Sequence, residues 1–142
     1  MRHKAQVSTF GRKESARLAL FRGLVTSLVE HGRITTTVAK AKELRRHIER
    51  AITMGRKNTL HAKRLLFSRY PSVDTVGYIM NDWGPAFVSR PGGYTRILKV
   101  GARKGDSAEL AIIEFLDYQK VINARASGAE ASKKRCCRKE SC

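Results

Sequence analysis

Cys136, Cys137 and Cys142 are the side chains best suited to hold a metal ion in this sequence, because thiolates are strong zinc ligands. Structural zinc sites take four ligands in paired short spacings, and two adjacent cysteines plus a terminal one supply three. No metal is therefore expected, and the thiols read as reduced. His3, His31, His47 and His61 are scattered over an arm, a helix end and two helix surfaces, as solvated or phosphate-facing groups. Glu43 and Glu49 sit among arginines at helical spacing, which predicts ordinary surface pairs. Phosphate-loop, dinucleotide, zinc-protease and serine-nucleophile signatures are absent. Neither catalysis nor a cofactor is expected.

What remains is anion chemistry. The segment RPGGYTR, Arg90 to Arg96, combines a restrained proline with two glycines and two flanking guanidinium groups. Glycine lets another surface approach the main chain, and guanidinium groups recognise phosphate. Taken alone, the same residues suit a tight connection into a strand. The rest of the chain favours phosphate, because 29 Lys and Arg against 12 Asp and Glu give a net charge of +17 in 142 residues. The excess is uneven. Residues 1–69 carry 17 basic and 4 acidic side chains, residues 70–118 carry 5 and 6, and residues 119–142 carry 7 and 2. A chain so one-sided needs an anionic partner. No apolar run exceeds four residues, as at Leu18 to Phe21 and Leu110 to Ile113, so neither membrane insertion nor a signal peptide is expected.

The elements that must position these charges can be read from periodicity. Residues 1–14 form a basic arm with no periodic pattern. Helix one starts at Ser15 as N-cap, with Leu18, Phe21, Val25, Leu28 and Val29 inward, and stops at Gly32. Arg33 to Thr37 is a short β-branched strand whose last threonines can cap the next helix. Helix two, Val38 to Met54, buries Ala41, Leu44, Ile48 and Ile52. Thr59 caps a third helix with Ala62, Leu65, Leu66 and Tyr70 inward. Ser72 caps a fourth with Val73, Val76, Met80 and Trp83 inward, broken at Gly84 and Pro85. Tyr94 to Val100 and Glu109 to Leu116 are strands joined by the hairpin loop GARKGDSA, the last strand lying centrally. Trp83 belongs to the core, whereas Tyr94 suits the core and base stacking equally. The fold class is α+β: two layers in the order α-β-α-α-α-β-β, a small mixed sheet covered by helices. The single domain spans residues 15–118, and residues 119–142 form a basic tail without periodic apolar residues, expected to be disordered.

Arg2 and His3, the GRK at Gly11 to Lys13, EHGRITTT at Glu30 to Thr37, AKAKELRR at Ala39 to Arg46 and PGGYTRILKVGARKGDSAELAIIEF at Pro91 to Phe115 follow one another in fixed order. This combination resembles the bacterial-type large-subunit ribosomal protein L17 family over residues 1 to about 116. Two departures are Ala16 before Arg17, where the family commonly has histidine, and Gly23 after Arg22, where it has asparagine. The resemblance implies a non-catalytic protein that binds large-subunit ribosomal RNA and neighbouring ribosomal proteins, on the solvent side near the peptide exit tunnel. It also implies a ribosomal location, and the lack of a presequence favours the cytoplasm. The cysteines inherit no role from it.

The residues expected to meet RNA are Arg2, Lys4, Arg12 and Lys13 in the arm, Arg17 and Arg22 on helix one, and Lys40, Lys42, Arg45, Arg46 and Arg50 on helix two. Arg90, Arg96, Arg103 and Lys104 join them from the sheet region. Together they would displace counterions from several RNA strands. Two other classes fit the charge less well. A DNA-packaging or regulatory protein would need a dimer seam or a groove-reading helix with Asn or Gln, and a nucleic-acid-processing enzyme would need clustered carboxylates. The sequence offers neither.

Overall fold

The computed structural model describes residues 8–119 and 121–123. Its elements are α1 (Glu14–His31), β1 (Arg33–Thr37), α2 (Val38–Gly55), α3 (Leu60–Arg69), α4 (Val73–Tyr78), a π-helical turn (Ile79–Trp83), α5 (Gly84–Ala86), β2 (Thr95–Ala102) and β3 (Glu109–Phe115). The two-layer α+β arrangement is the expected one, with one correction. The sheet is antiparallel throughout, not mixed, in the order β1-β3-β2. The reason is local: the hairpin sets β2 against β3, and β1 runs the same way as β2 on the far side of β3.

β3 is the central strand, and its two faces differ. Ala111, Ile113 and Phe115 are buried beneath the helices, while Leu110 and Ile112 on the other parity are half-buried. Register places Ile34, Ile113 and Ile97 side by side on the inner face. A bulge at Val100, between the pairs Lys99↔Ala111 and Gly101↔Leu110, twists the outer half of β2.

α1 buries Phe21, Val25, Leu28 and Val29 in one stripe, but Leu18, expected inside, is 44% exposed, lining an open groove between α1 and α2. Its N-cap is Lys13 without a side-chain bond, not Ser15. The helix stops at Gly32, whose φ of 75° returns its N–H to the Leu28 carbonyl. α2 buries all four expected residues and adds Val38, Ala51 and Gly55. Thr37 stands at its N-cap but makes no side-chain bond. Thr59 and Ser72 do cap α3 and α4, accepting from Ala62 N and Thr75 N. Leu65 (43% exposed) and Val73 (71%) face solvent instead of the core, since α3 turns only a narrow side to α2 and α4 packs against α1 and α3.

Gly84 and Pro85 do not end the fourth helix. The chain widens into the π turn, in which Gly84 N–H bonds the Ile79 carbonyl, and Pro85 then enters the first turn of α5, where no donor is needed. The turn brings Trp83 inward. A Cβ on Gly55 would lie 2.8 Å from Ile79 Cγ2 and 3.0 Å from its carbonyl oxygen, and one on Gly84 would lie 3.2 Å from the Gly55 carbonyl. The end of α2 and the π turn thus meet through two glycines. Trp83 packs 4.0 Å from the Phe115 ring, and its indole N–H donates to the Val29 carbonyl at 3.0 Å. Tyr94, fully buried, joins the same aromatic group through Phe87 at 5.1 Å.

Gly32 also lies under residues beyond β3. A Cβ there would sit 2.8 Å from Ile122 Cδ1 and 3.1 Å from Tyr118, at a positive φ besides. Gly32→Ala is therefore expected to destabilise the fold by about 1–3 kcal/mol, read from the urea midpoint at an unchanged m-value.

Candidate nucleic-acid interface

Residues four apart on a helix stand one above another. On α2, Lys42, Arg46 and Arg50 therefore form a line, and it faces away from Ala41, Leu44, Ile48 and Ile52. Three adjoining grooves follow this line. The first, at the start of α2, is lined by Ser8, Thr37, Lys42, Glu43 and Arg46. The second lies between α1 and α2 and shares Glu43 and Arg46 with it, adding Arg17, His47 and Arg50. The third shares Arg50 and continues past Thr53 and Arg69 to Pro91 and Gly92. One basic track thus runs from the N-terminus of α2 to the glycine loop.

The loop is held in place by Arg56, a residue that the sequence reading passed over within a second GRK. Its guanidinium donates to the carbonyls of Val88 and Arg90, each at 2.8 Å, and to the Tyr94 hydroxyl at 2.9 Å. Tyr94 Oη in turn lies 3.4 Å from Thr53 Oγ1 on α2. A Cβ at Gly92 would meet no protein atom within 4 Å, so this backbone is open to an outside surface. Arg22 plays a comparable part, its Nε donating at 2.8 Å to the carbonyl of Arg69 at the end of α3. Both arginines satisfy main-chain oxygens that a helix or loop leaves unpaired.

The expected RNA-contacting residues divide accordingly. Arg17, Lys42, Arg46 and Arg50 share the track, with Arg46 3.9 Å from Glu43. Arg45 turns to Glu49 at 3.1 Å, and Glu49 also accepts from Thr95 Oγ1 at 3.4 Å, so this group ties α2 to β2. Lys40 is half-buried and lies off the line. Arg96 is engaged within the protein. It donates through Nε at 2.6 Å and Nη2 at 2.5 Å to Glu114, which is 5% exposed, so its charge is spent on a carboxylate that would otherwise be buried unpaired. Arg103 forms two bonds to Asp106 within the hairpin loop and, with the Ala108 N–H, holds that carboxyl down to about 2. Lys104 is exposed at the hairpin, and Arg90 presents its side chain to solvent. Arg12 and Lys13 are exposed just before α1, with Arg12 Nη1 bonded to the Phe10 carbonyl. Arg2 and Lys4 lie outside the described residues, as do Cys136, Cys137 and Cys142.

His47 and Arg69 were not among those expected either. The His47 ring stacks on Phe21 at 4.9 Å and 19°. Burial lowers its pKa, Glu43 opposes this, and Arg50 and Arg69 add to the lowering, so folding favours the neutral ring. Trp83 and Tyr94 are fully buried, which resolves Tyr94 in favour of the core. Among the described residues no three His, Cys, Asp or Glu side chains group as metal ligands, and no helix is long and apolar enough to cross a membrane.

The family model for ribosomal protein L17 matches residues 20–116, which contain α2, the Arg56-held loop and all three strands. The chain belongs to the ribosomal protein L17 family. It is 60% identical over 116 residues to the large ribosomal subunit protein bL17 of Bdellovibrio bacteriovorus, covering 82% of this chain and 64% of that one. It is 51% identical over 116 residues to the bL17 protein of Gemmatimonas aurantiaca, covering 82% and 98%, and 48% identical over 132 residues to that of Nitratidesulfovibrio vulgaris, covering 92% and 99%. The L17 family is structural and not enzymatic.

Two outcomes follow from this geometry. Removing three charge-assisted bonds in Arg56→Ala should cost about 1–3 kcal/mol and speed amide exchange at residues 88–93, measured by hydrogen exchange. Because His47 titrates lower when folded, its contribution to stability is present above its unfolded pKa of about 6.5 and is lost as the pH falls below it. The urea midpoint should therefore drop between pH 7 and pH 5, and the drop should be smaller in His47→Gln.

Proposed function

We propose that this protein is a structural component of the large ribosomal subunit that binds ribosomal RNA by its phosphate backbone. The observation that carries the reading is the track from Lys42 through Arg46 and Arg50 to the open backbone at Gly92. Guanidinium and ammonium groups on a rigid helix release counterions, and their fixed spacing selects a backbone of matching shape. Duplex RNA hides its major groove, so such a surface reads shape and unpaired segments more than a base code. Arg12, Lys13, Arg17, Arg90 and Lys104 extend the contact, and Arg2 and Lys4 extend it through the arm. Arg22, Arg45, Arg96 and Arg103 act mainly by holding the fold in the form that the RNA meets. The curated relatives bear the name of a large-subunit protein, which supports assembly with that RNA and with neighbouring ribosomal proteins. The exit tunnel region and the cytoplasm are the expected surroundings.

The test is sedimentation of tagged protein with separated subunits. It should travel with the large subunit through a moderate-salt wash, and recovery only at the top of the gradient would overturn the reading. In filter binding to large-subunit RNA, replacing Lys42, Arg46 and Arg50 by alanine should reduce the log-log salt slope by about 2, at about 0.7 per phosphate contact.

A further inference from the structure

The groove between α1 and α2 contains more than charge. Phe10 meets Phe21 edge-on at 5.5 Å, and Phe21 lies near-parallel to His47 at 4.9 Å, so buried Phe21 is flanked by two half-exposed rings. Phe21 is buried, whereas His47 is half-exposed and lines the groove. Around it stand Arg17 from α1 and Arg46 and Arg50 from the same helix, with Glu43, the one carboxylate among the described residues of the groove, 3.9 Å from Arg46. The imidazole has no side-chain hydrogen-bond partner among the described residues, and the Tyr70 hydroxyl reaches only the His47 carbonyl, at 3.5 Å. An imidazole backed by another ring, with three guanidinium groups and one carboxylate beside it, has a complement in a flat heterocycle joined to phosphates.

We infer that this groove seats one unpaired nucleotide of RNA, with its base on the His47 ring and its flanking phosphates on Arg17, Arg46 and Arg50. The inference rests on the RNA-binding reading above and deepens it, because backbone contact alone gives the ring no part. An acidic peptide would satisfy the guanidinium groups but leave the ring unused. Phe21 fixes the imidazole plane, so little side-chain freedom is lost on stacking. Trp83 and Tyr94 cannot serve, being enclosed in the core.

The test compares a short single-stranded ribo-oligonucleotide with an abasic one of equal length, which keeps every phosphate and removes the bases. The full-length wild-type chain should bind the base-bearing strand more tightly by about 5- to 100-fold. His47→Leu, which keeps the packing on Phe21 without an aromatic ring, should bind both equally, and His47→Phe should restore the preference. Should the leucine variant fail to fold, His47→Gln gives the same comparison at this half-exposed position. Equal binding of the two strands by wild type, or an unchanged preference in the leucine or glutamine variant, overturns the proposal. Equal binding of both strands that is lost on replacing Lys42, Arg46 and Arg50 would do so while leaving the RNA-binding reading intact. Failure of wild type to bind either strand or large-subunit RNA would remove both.

Discussion

One hydrogen bond, from the Trp83 indole to the Val29 carbonyl, joins the parts on which the rest of the fold depends. Val29 lies in the last turn of α1, where carbonyl groups have no intrahelical donor. The carbonyl of its neighbour Leu28 accepts from Gly32 N–H, and that of Val29 accepts from the indole. The same indole packs on Phe115 of the central strand, so a single side chain connects the first helix, the fourth helical segment and the sheet. Trp83 can occupy that place only because the π turn carries it inward, and the turn can approach α2 only because Gly55 and Gly84 lack Cβ atoms. The direction of α2, and of the cations along it, is set by this group of contacts.

Basic residues in this chain have two kinds of employment. Arg22, Arg56, Arg96 and Arg103 donate to carbonyls or carboxylates of the protein itself and convert excess charge into fixed geometry. Arg17, Lys42, Arg46 and Arg50 are arranged to face outward. The two sets are coupled. Arg56 determines where the glycine loop lies relative to Arg50, and the Arg45–Glu49–Thr95 group fixes α2 on β2. A protein whose partner is a polyanion gains from arginines that are already satisfied, since they shape the surface without competing for the same phosphates.

The helices and strands were legible because each long element has one dominant apolar period. α2 illustrates this, with every expected inner residue buried. Leu18, Leu65 and Val73 continued an apolar period past the point where a neighbouring element was present to cover it, which no local pattern records. The π turn was illegible for a related reason: helical phase assumes 3.6 residues per turn, and Gly-Pro reads as a stop unless the turn has already widened. Charge gave the class of partner but not which arginines meet it. Arg56 is indistinguishable in sequence from Lys57, and its role appears only when residues 88–94 fold back on the end of α2. Arg96 looked like a phosphate ligand beside the glycines, yet register sets it opposite Glu114 on the adjacent strand. His47 lacked a signal for the same reason, since its stacking partner is supplied by another helix.

β1 ends at Thr37 and α2 begins at Val38, with no residue between them. A strand and a helix joined without a linker have no loop between them to absorb a shift, so the entry of the helix moves with the edge of the sheet. The other end of the helix, some 26 Å away at about 1.5 Å per residue, is held by the π turn and by the bonds of Arg56, so the basic line is anchored at both ends. A neighbour that displaced the sheet would therefore load both anchors of α2, and the basic line between them would keep its shape.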